Sequence, residues 1–237
     1  MDIIKLNNVS FSYPGTTKKV LDSINLTLEV GKTYALIGPT GEGKSTIANL
    51  ISGLLQPTGG EILFWNKNLQ DYPREDIASE IGYILQDPYL FSGSLLDNII
   101  HGNTEYNHLS SVFNDKIEDQ AIEDFQKVLL EYNLMQLILS FDEGLKTIVS
   151  NSVENISLGQ KQIISFIRAV LRKPKLLILD EATANLDTFT ENTLQKIIES
   201  LSNKTTKLII AHRLNTVKDA DVTFEVGGGK VLVGGGK

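Results

Sequence analysis

The chain has 237 residues, 41% of them hydrophobic and 22% charged, with a formal net charge of −7. That is enough apolar material for a sizeable core, as one large domain or two small ones. The acidic balance gives no electrostatic footprint for nucleic acid. The absence of cysteine excludes a disulfide framework and thiolate metal sites, and no run approaches the roughly 20 apolar residues of a membrane helix.

In chain order, Met1-Asp2-Ile3-Ile4-Lys5 lacks the layout of a signal peptide, and Ile3 to Ser12 alternates loosely as a strand closed by Pro14-Gly15. Val20 to Val30 alternates through Leu21, Ile24, Leu26 and Leu28, then turns at Gly31-Lys32. Thr33 to Ile37 is a short apolar run that predicts a buried strand, followed by a helix through Ile47 to Leu55 that Pro57-Thr58-Gly59-Gly60 ends. Glu61 to Trp65 and Ile81 to Leu85 read as further strands. Asn98 to Gln120 is polar and reads as a loop or frayed helix, whereas Ala121 to Phe141 places Ile122, Phe125, Leu129, Leu134, Leu137 and Ile138 at helical spacing. Leu158 to Leu171 predicts a helix whose end carries Arg168, Arg172, Lys173 and Lys175, where cations suit the dipole. Leu176 to Leu179 is a continuous apolar run of the parallel-sheet kind. A helix over Thr190 to Leu201, a strand over Lys207 to Ala211, a short helix over Leu214 to Ala220 and a Gly-framed strand at Val231-Leu232-Val233 complete the chain.

The motif that organises the rest is Gly38-Pro39-Thr40-Gly41-Glu42-Gly43-Lys44-Ser45-Thr46, with the spacing G-x-x-x-x-G-K-S between a strand and a helix. This is the phosphate-binding loop. Its glycines let successive backbone N–H groups turn toward an anion, and the helix that follows adds the positive end of its dipole. Lys44 reaches the β- and γ-phosphates of ATP in this reading, and the Ser45 hydroxyl ligates Mg²⁺. A second site candidate is Asp180-Glu181, two carboxylates at the end of the apolar run from Leu176. A strand of that kind beside the phosphate loop places Asp180 near the Mg²⁺ shell and points Glu181 at the water that attacks the γ-phosphate. The plainer alternative is a pair of acids capping a helix.

Together these motifs resemble the nucleotide-binding domain of ABC transporters, and the resemblance covers nearly the whole chain. Ile156-Ser157-Leu158-Gly159-Gln160 resembles the family's LSGGQ signature, and Gln86 in Ile84-Leu85-Gln86-Asp87-Pro88 matches the Q-loop. Ala184-Asn185-Leu186-Asp187 matches the D-loop, His212 the switch histidine, and Tyr13 in Phe11-Ser12-Tyr13-Pro14 the aromatic that stacks on adenine. The resemblance implies nucleotide contacts from Tyr13, Gln86, Ser157, Gly159, Gln160 and Asp187, a place for Gln86 in the metal shell, and a γ-phosphate contact from His212. It also implies a head-to-tail homodimer or pseudo-homodimer, with ATP held between one phosphate loop and the opposing signature. The stretch Asp87 to Ile99, with Leu90-Phe91 and Asn98-Ile99, resembles the exporter pattern and implies a surface for the coupling helix of a transmembrane domain; the alternative packs Leu90 and Phe91 inside.

Three departures stand out. Leu158 occupies a signature position where the family usually has glycine. Thr147 to Asn155 lacks the glycines exporters carry before the signature, and Asn103 to Lys116 reads as an insertion. The fold expected is α/β: one nucleotide-binding domain over 1–237, with a parallel RecA-like core, an antiparallel β subdomain from the N-terminal third, and a helical subdomain over roughly 87–157. The function expected is ATP hydrolysis driving export, on the cytoplasmic face of a membrane, with the chain soluble by itself and read as an excised domain. The rival readings are a non-transport ABC ATPase and a module that holds ATP without turnover; Glu181 and His212 speak against the second.

Overall fold

The computed structural model describes residues 1–110, 119–149, 156–180, 188–201, 205–210 and 220–234. The chain divides into two units, one of Met1–Tyr83, Lys173–Glu181 and Ser202–Lys237, the other of Ile84–Arg172 and Ala182–Leu201.

In the first unit, β1 (Asp2–Phe11), β2 (Leu21–Glu29), β4 (Gly59–Phe64) and β5 (Lys67–Asn68) form an antiparallel sheet in the order β2-β1-β4-β5. The loose alternation of β1 has a physical cause. Ile4 and Leu6 are buried, then Val9 and Phe11, so the buried phase moves from even to odd positions. Asn8, at φ 49, absorbs the change where the register with β2 shifts, and Ser23, at φ 53, does the same on β2 between Leu21 and Ile24. An extra residue in one strand flips the side-chain alternation, and it keeps Ile4, Leu6, Val9 and Phe11 buried.

The second sheet of this unit runs, in order, through Lys230–Gly234, Val222–Gly227, Thr33–Ile37, Thr206–Ile210, Leu176–Asp180 and Ile81–Ile84. Its centre is parallel: β3 (Thr33–Ile37) pairs with β10 (Thr206–Ile210), β10 with β9 (Leu176–Asp180), and β11 (Val222–Gly227) with β3. β9 is buried along its whole length, as a parallel strand covered on both faces must be. The expected parallel core is therefore present, with an antiparallel addition: β12 (Lys230–Gly234) folds back on β11 through Gly228-Gly229. Helix α1 (Lys44–Ile51) packs on β9, with Ile47, Ala48, Leu50 and Ile51 inaccessible. A short helix, α2 (Arg74–Glu80), with Glu75 and Asp76 in its first turn, leads into β6 (Ile81–Ile84).

The second unit is mainly helical. It contains a two-stranded ribbon, β7 (Gly93–Ser94) with β8 (Ile148–Val149), and the helices α3 (Leu95–Ile100), α4 (Asp119–Glu131), α5 (Met135–Ile138), α6 (Leu158–Leu171) and α7 (Thr188–Ser200). The polar stretch expected from Asn98 as a loop or frayed helix begins inside α3, because Leu95, Leu96, Ile99 and Ile100 form a buried stripe and Ser94 with Asp97 makes a capping box. The helical spacing over Ala121 to Phe141 resolves into α4 and α5, separated at Asn133 by a left-handed residue of φ 56. The helix expected over Leu214 to Ala220 lies, but for Ala220, outside the described residues. Among the described residues no helix is long and apolar enough to cross a membrane.

Candidate functional site

The phosphate loop leaves the C-terminal end of β3 and enters α1, and the first unit holds it from three sides. Gly38 sits at φ 140, and a Cβ placed there would lie 2.1 Å from the Val226 carbonyl oxygen, so β11 approaches where only glycine fits. Gly43 precedes α1 at φ 102. Glu42 accepts a hydrogen bond of 2.7 Å from the Gly228 N–H, tying the loop to the β11–β12 turn. Tyr13 shares a 3.0 Å hydrogen bond with the Thr46 hydroxyl, and its ring stands edge-on to Phe11 at 4.9 Å while remaining 43% exposed.

Lys44 is almost fully buried, and its Nζ donates 2.8 Å hydrogen bonds to the carbonyl oxygens of Gly38 and Pro39. The ammonium thus closes over its own loop, at the start of an eight-residue helix whose first N–H groups have no partner within the helix. Pro39, Thr40, Gly41 and Ser45 are exposed, and a Cβ built on Gly41 meets nothing within 4 Å, so there is room beside the loop. Ammonium, helix N-terminus and exposed hydroxyl together suit a polyphosphate.

Asp180 ends β9 and is 6% exposed. It is not on the strand next to β3, because β10 lies between them. Leu36 and Asp180 both pair with Ile210, so they share a level two strand spacings apart, roughly 10 Å. Since β3, β10 and β9 are parallel, the loop and the carboxylate lie at the same carboxyl edge of the sheet, where ligands of such sheets bind. A residue no motif pointed to joins them there. Tyr83 of β6 donates a 3.2 Å hydrogen bond to Asp180 Oδ2. Burial first, and then the Asp180 charge, pushes the phenol's pKa well above its ordinary value, so it serves as a neutral donor. Among the described residues no group of three or more His, Cys, Asp or Glu could cage a metal ion. An acid and a hydroxyl fit Mg²⁺ in the manner of sites that complete its shell with substrate phosphates and water. Glu181, Asp187 and His212 lie outside the described residues.

The remaining candidates belong to the second unit. Gln86 is exposed, and its carbonyl oxygen accepts a 3.1 Å hydrogen bond from the buried Gln162 side chain. Ser157 is the N-cap of α6: its hydroxyl accepts from the Gln160 N–H at 3.1 Å while the Gln160 side chain accepts from the Ser157 N–H at 3.0 Å. This capping box fixes Ser157, Leu158, Gly159 and Gln160 as the first turn of a fourteen-residue helix. Leu158 stands 38% exposed at that turn.

Leu90 and Phe91 take different environments: Leu90 is buried at 3% exposure and Phe91 is 39% exposed. The Phe91 ring meets Tyr89 at 5.2 Å and His101 at 4.1 Å, with the Arg168 guanidinium 5.7 Å from its centroid. Arg168 donates to the carbonyl oxygens of Asn98 and Tyr89, and Arg172 to that of His101. Burial, then the neighbouring Arg172, lowers the Arg168 pKa to about 10. Burial, then the charges of Arg168 and Arg172, holds His101 below the ordinary imidazole range.

A family model described as ABC transporter matches residues 21–184. ABC transporter B family member 6 of Dictyostelium discoideum is 36% identical over 236 residues, covering 97% of this chain and 33% of that protein. ABC transporter B family member 21 of Arabidopsis thaliana is 34% identical over 230 residues, covering 97% of this chain and 17% of its own length. A sophorolipid transporter of Starmerella bombicola is 35% identical over 230 residues, again 97% of this chain and 17% of that protein. The chain thus spans about a third or less of these three relatives.

Proposed function

The chain belongs to the ABC transporter family, whose ATP-binding domains are ATPases as a class, and on that premise we propose that it is the ATP-hydrolysing unit of a membrane exporter. The observation that carries the proposal is the phosphate loop with the buried Lys44 at one carboxyl edge of the sheet with Asp180. Lys44 releases the Gly38 and Pro39 carbonyls and turns its charge on the β- and γ-phosphates. The loop N–H groups and the start of α1 hold the same phosphates. Tyr13 offers a ring face to adenine. Mg²⁺, when bound, neutralises charge that develops on the transferring phosphoryl group; Ser45 and Asp180 are the residues that would hold it, with Gln86 as a further ligand. Glu181 takes the proton of the attacking water, and His212 hydrogen-bonds the γ-phosphate. Ser157, Gly159 and Gln160 bind the γ-phosphate of a second copy's ATP, and Asp187 adds a further nucleotide contact. Relatives named as transporters, and the aromatic patch of Tyr89 and Phe91, support a transmembrane domain as partner.

The test joins the two halves of the site. Removing a general base slows chemistry by roughly 10²–10⁴-fold, so Glu181→Gln is expected to bind MgATP with little turnover and to shift from monomer to dimer in light scattering. Adding Ser157→Arg is expected to keep ATP binding and abolish that shift. A double variant that dimerises as well as the single one rules out the contact of Ser157 across the dimer.

A further inference from the structure

We propose that Tyr83 is a positioning residue for the metal–nucleotide complex, its phenol holding the Asp180 carboxylate by one oxygen and so fixing how that carboxylate meets a divalent cation. The inference rests on the reading of Asp180 as the metal-facing acid of the phosphate loop.

The terminal torsion of an aspartate is broad and roughly two-fold, so a carboxylate at a strand end needs an outer partner to present one oxygen steadily. Tyr83 supplies one from the neighbouring strand of the same sheet: β6 lies beside β9, and the phenol reaches Asp180 Oδ2 at 3.2 Å. The pair is well shielded, with Asp180 6% exposed. On β6, Gly82 faces the opposite way from Tyr83, and a Cβ there would already come within 3.1 Å of Leu177 Cδ1 and 3.2 Å of Pro174 Cγ. A larger residue at position 82 would therefore press on Leu177 of β9 beside the pair.

The chemical type of the donor also matters. A lysine or arginine in this place would orient the carboxylate and cancel the charge that attracts a cation. A phenol orients it and leaves that charge in place. Residues that hydrogen-bond a metal ligand from behind typically change metal affinity or activity by 10–100-fold when removed.

The test measures the affinity of a non-hydrolysable ATP analogue with Mg²⁺ and with EDTA, in the full chain, for the wild type, Tyr83→Phe, Asp180→Asn and the double variant. The ratio of the two affinities isolates the contribution of the metal. Tyr83→Phe removes one oxygen at nearly constant volume, and a thermal melt confirms that it folds. It is expected to lower the ratio roughly 10-fold or more while leaving the EDTA affinity unchanged, and to add nothing in the Asp180→Asn background. A Tyr83→Phe ratio equal to wild type, with Asp180→Asn reduced, overturns the role of Tyr83 alone. So does an equal loss with Mg²⁺ and with EDTA, which would mark a packing role. A wild-type ratio in Asp180→Asn overturns instead the reading on which the inference rests.

Discussion

Gly38→Ala tests whether the phosphate loop is shaped by its neighbours or by its own sequence. The Cβ it introduces would lie 2.1 Å from the Val226 carbonyl oxygen and 3.1 Å from the Val226 carbonyl carbon. Neither atom belongs to a side chain that can rotate away. Moving them means prising β11 from β3 beside the Glu225–Ile37 register position. An alanine at φ 140 carries about 1–2 kcal/mol of backbone strain, and forcing an extra methyl into packed surroundings adds about 1–3 kcal/mol. The sum, about 2–5 kcal/mol, is a large share of a typical folding free energy of about 5–15 kcal/mol. Gly41→Ala is the matched control. It also takes a positive φ, 83, yet its Cβ meets nothing within 4 Å, so only the strain of about 1–2 kcal/mol remains. The difference between the variants, about 1–3 kcal/mol, should appear as a gap of roughly 2–12 °C in Tm for a chain of this size. Gly38→Ala should also weaken ATP binding, because the loop must move with the strand. Equal melting temperatures for the two variants would refute the claim that β11 clamps the loop.

Two further outcomes follow from the second unit. Ser157→Ala should destabilise the start of α6 by about 1 kcal/mol, through the lost cap, read as a lower urea midpoint; Ser157→Asp, which keeps a capping oxygen, should hold that midpoint yet fail to form the ATP-dependent dimer, since its charge opposes a phosphate. His101 is depressed in the folded chain, so as pH falls below the ordinary imidazole value of about 6.5 the unfolded chain takes up the proton first, and stability drops until the folded pKa is passed. Denaturant midpoints followed from pH 8 to 5 should show that decline, and His101→Phe should flatten it; an unchanged pH profile in His101→Phe would exclude the imidazole as its source.

Much of this was legible in the sequence because the signals were local. The spacing from Gly38 to Ser45 and the apolar run ending at Asp180 each carry their meaning within ten residues, and β3, β9 and α1 follow from them. Features set by distant partners were not legible. β11 alternates through Val222, Phe224 and Val226, but its period is short and runs straight into glycines that signal a turn. α3 hid in a polar neighbourhood because its stripe of Leu95, Leu96, Ile99 and Ile100 spans under two turns. The flip of phase in β1 at Asn8 blurred the period on which strand reading depends. Tyr83 belongs to no motif, and only the adjacency of β6 to β9, which no local pattern specifies, brings it to Asp180.

The contacts around the phosphate loop explain why a nine-residue motif needs a whole sheet behind it. Glycines make a loop permissive, and a permissive loop costs entropy to order around an anion, roughly 1–2 kcal/mol for each residue fixed. Here that cost is met on folding and not on binding. Val226 blocks one side of Gly38, the Gly228 N–H fixes Glu42, and Tyr13 holds Thr46. The partners Val226, Gly228 and Tyr13 lie far from the loop in sequence, so its conformation is a property of the folded unit. The Glu42 contact has a second effect. It turns a carboxylate, the one group in the loop that would repel phosphate, onto the backbone of the β11–β12 turn, where an N–H stabilises the charge. A loop with a negative residue in its middle can then serve a polyanion, because the hairpin sets where that charge points.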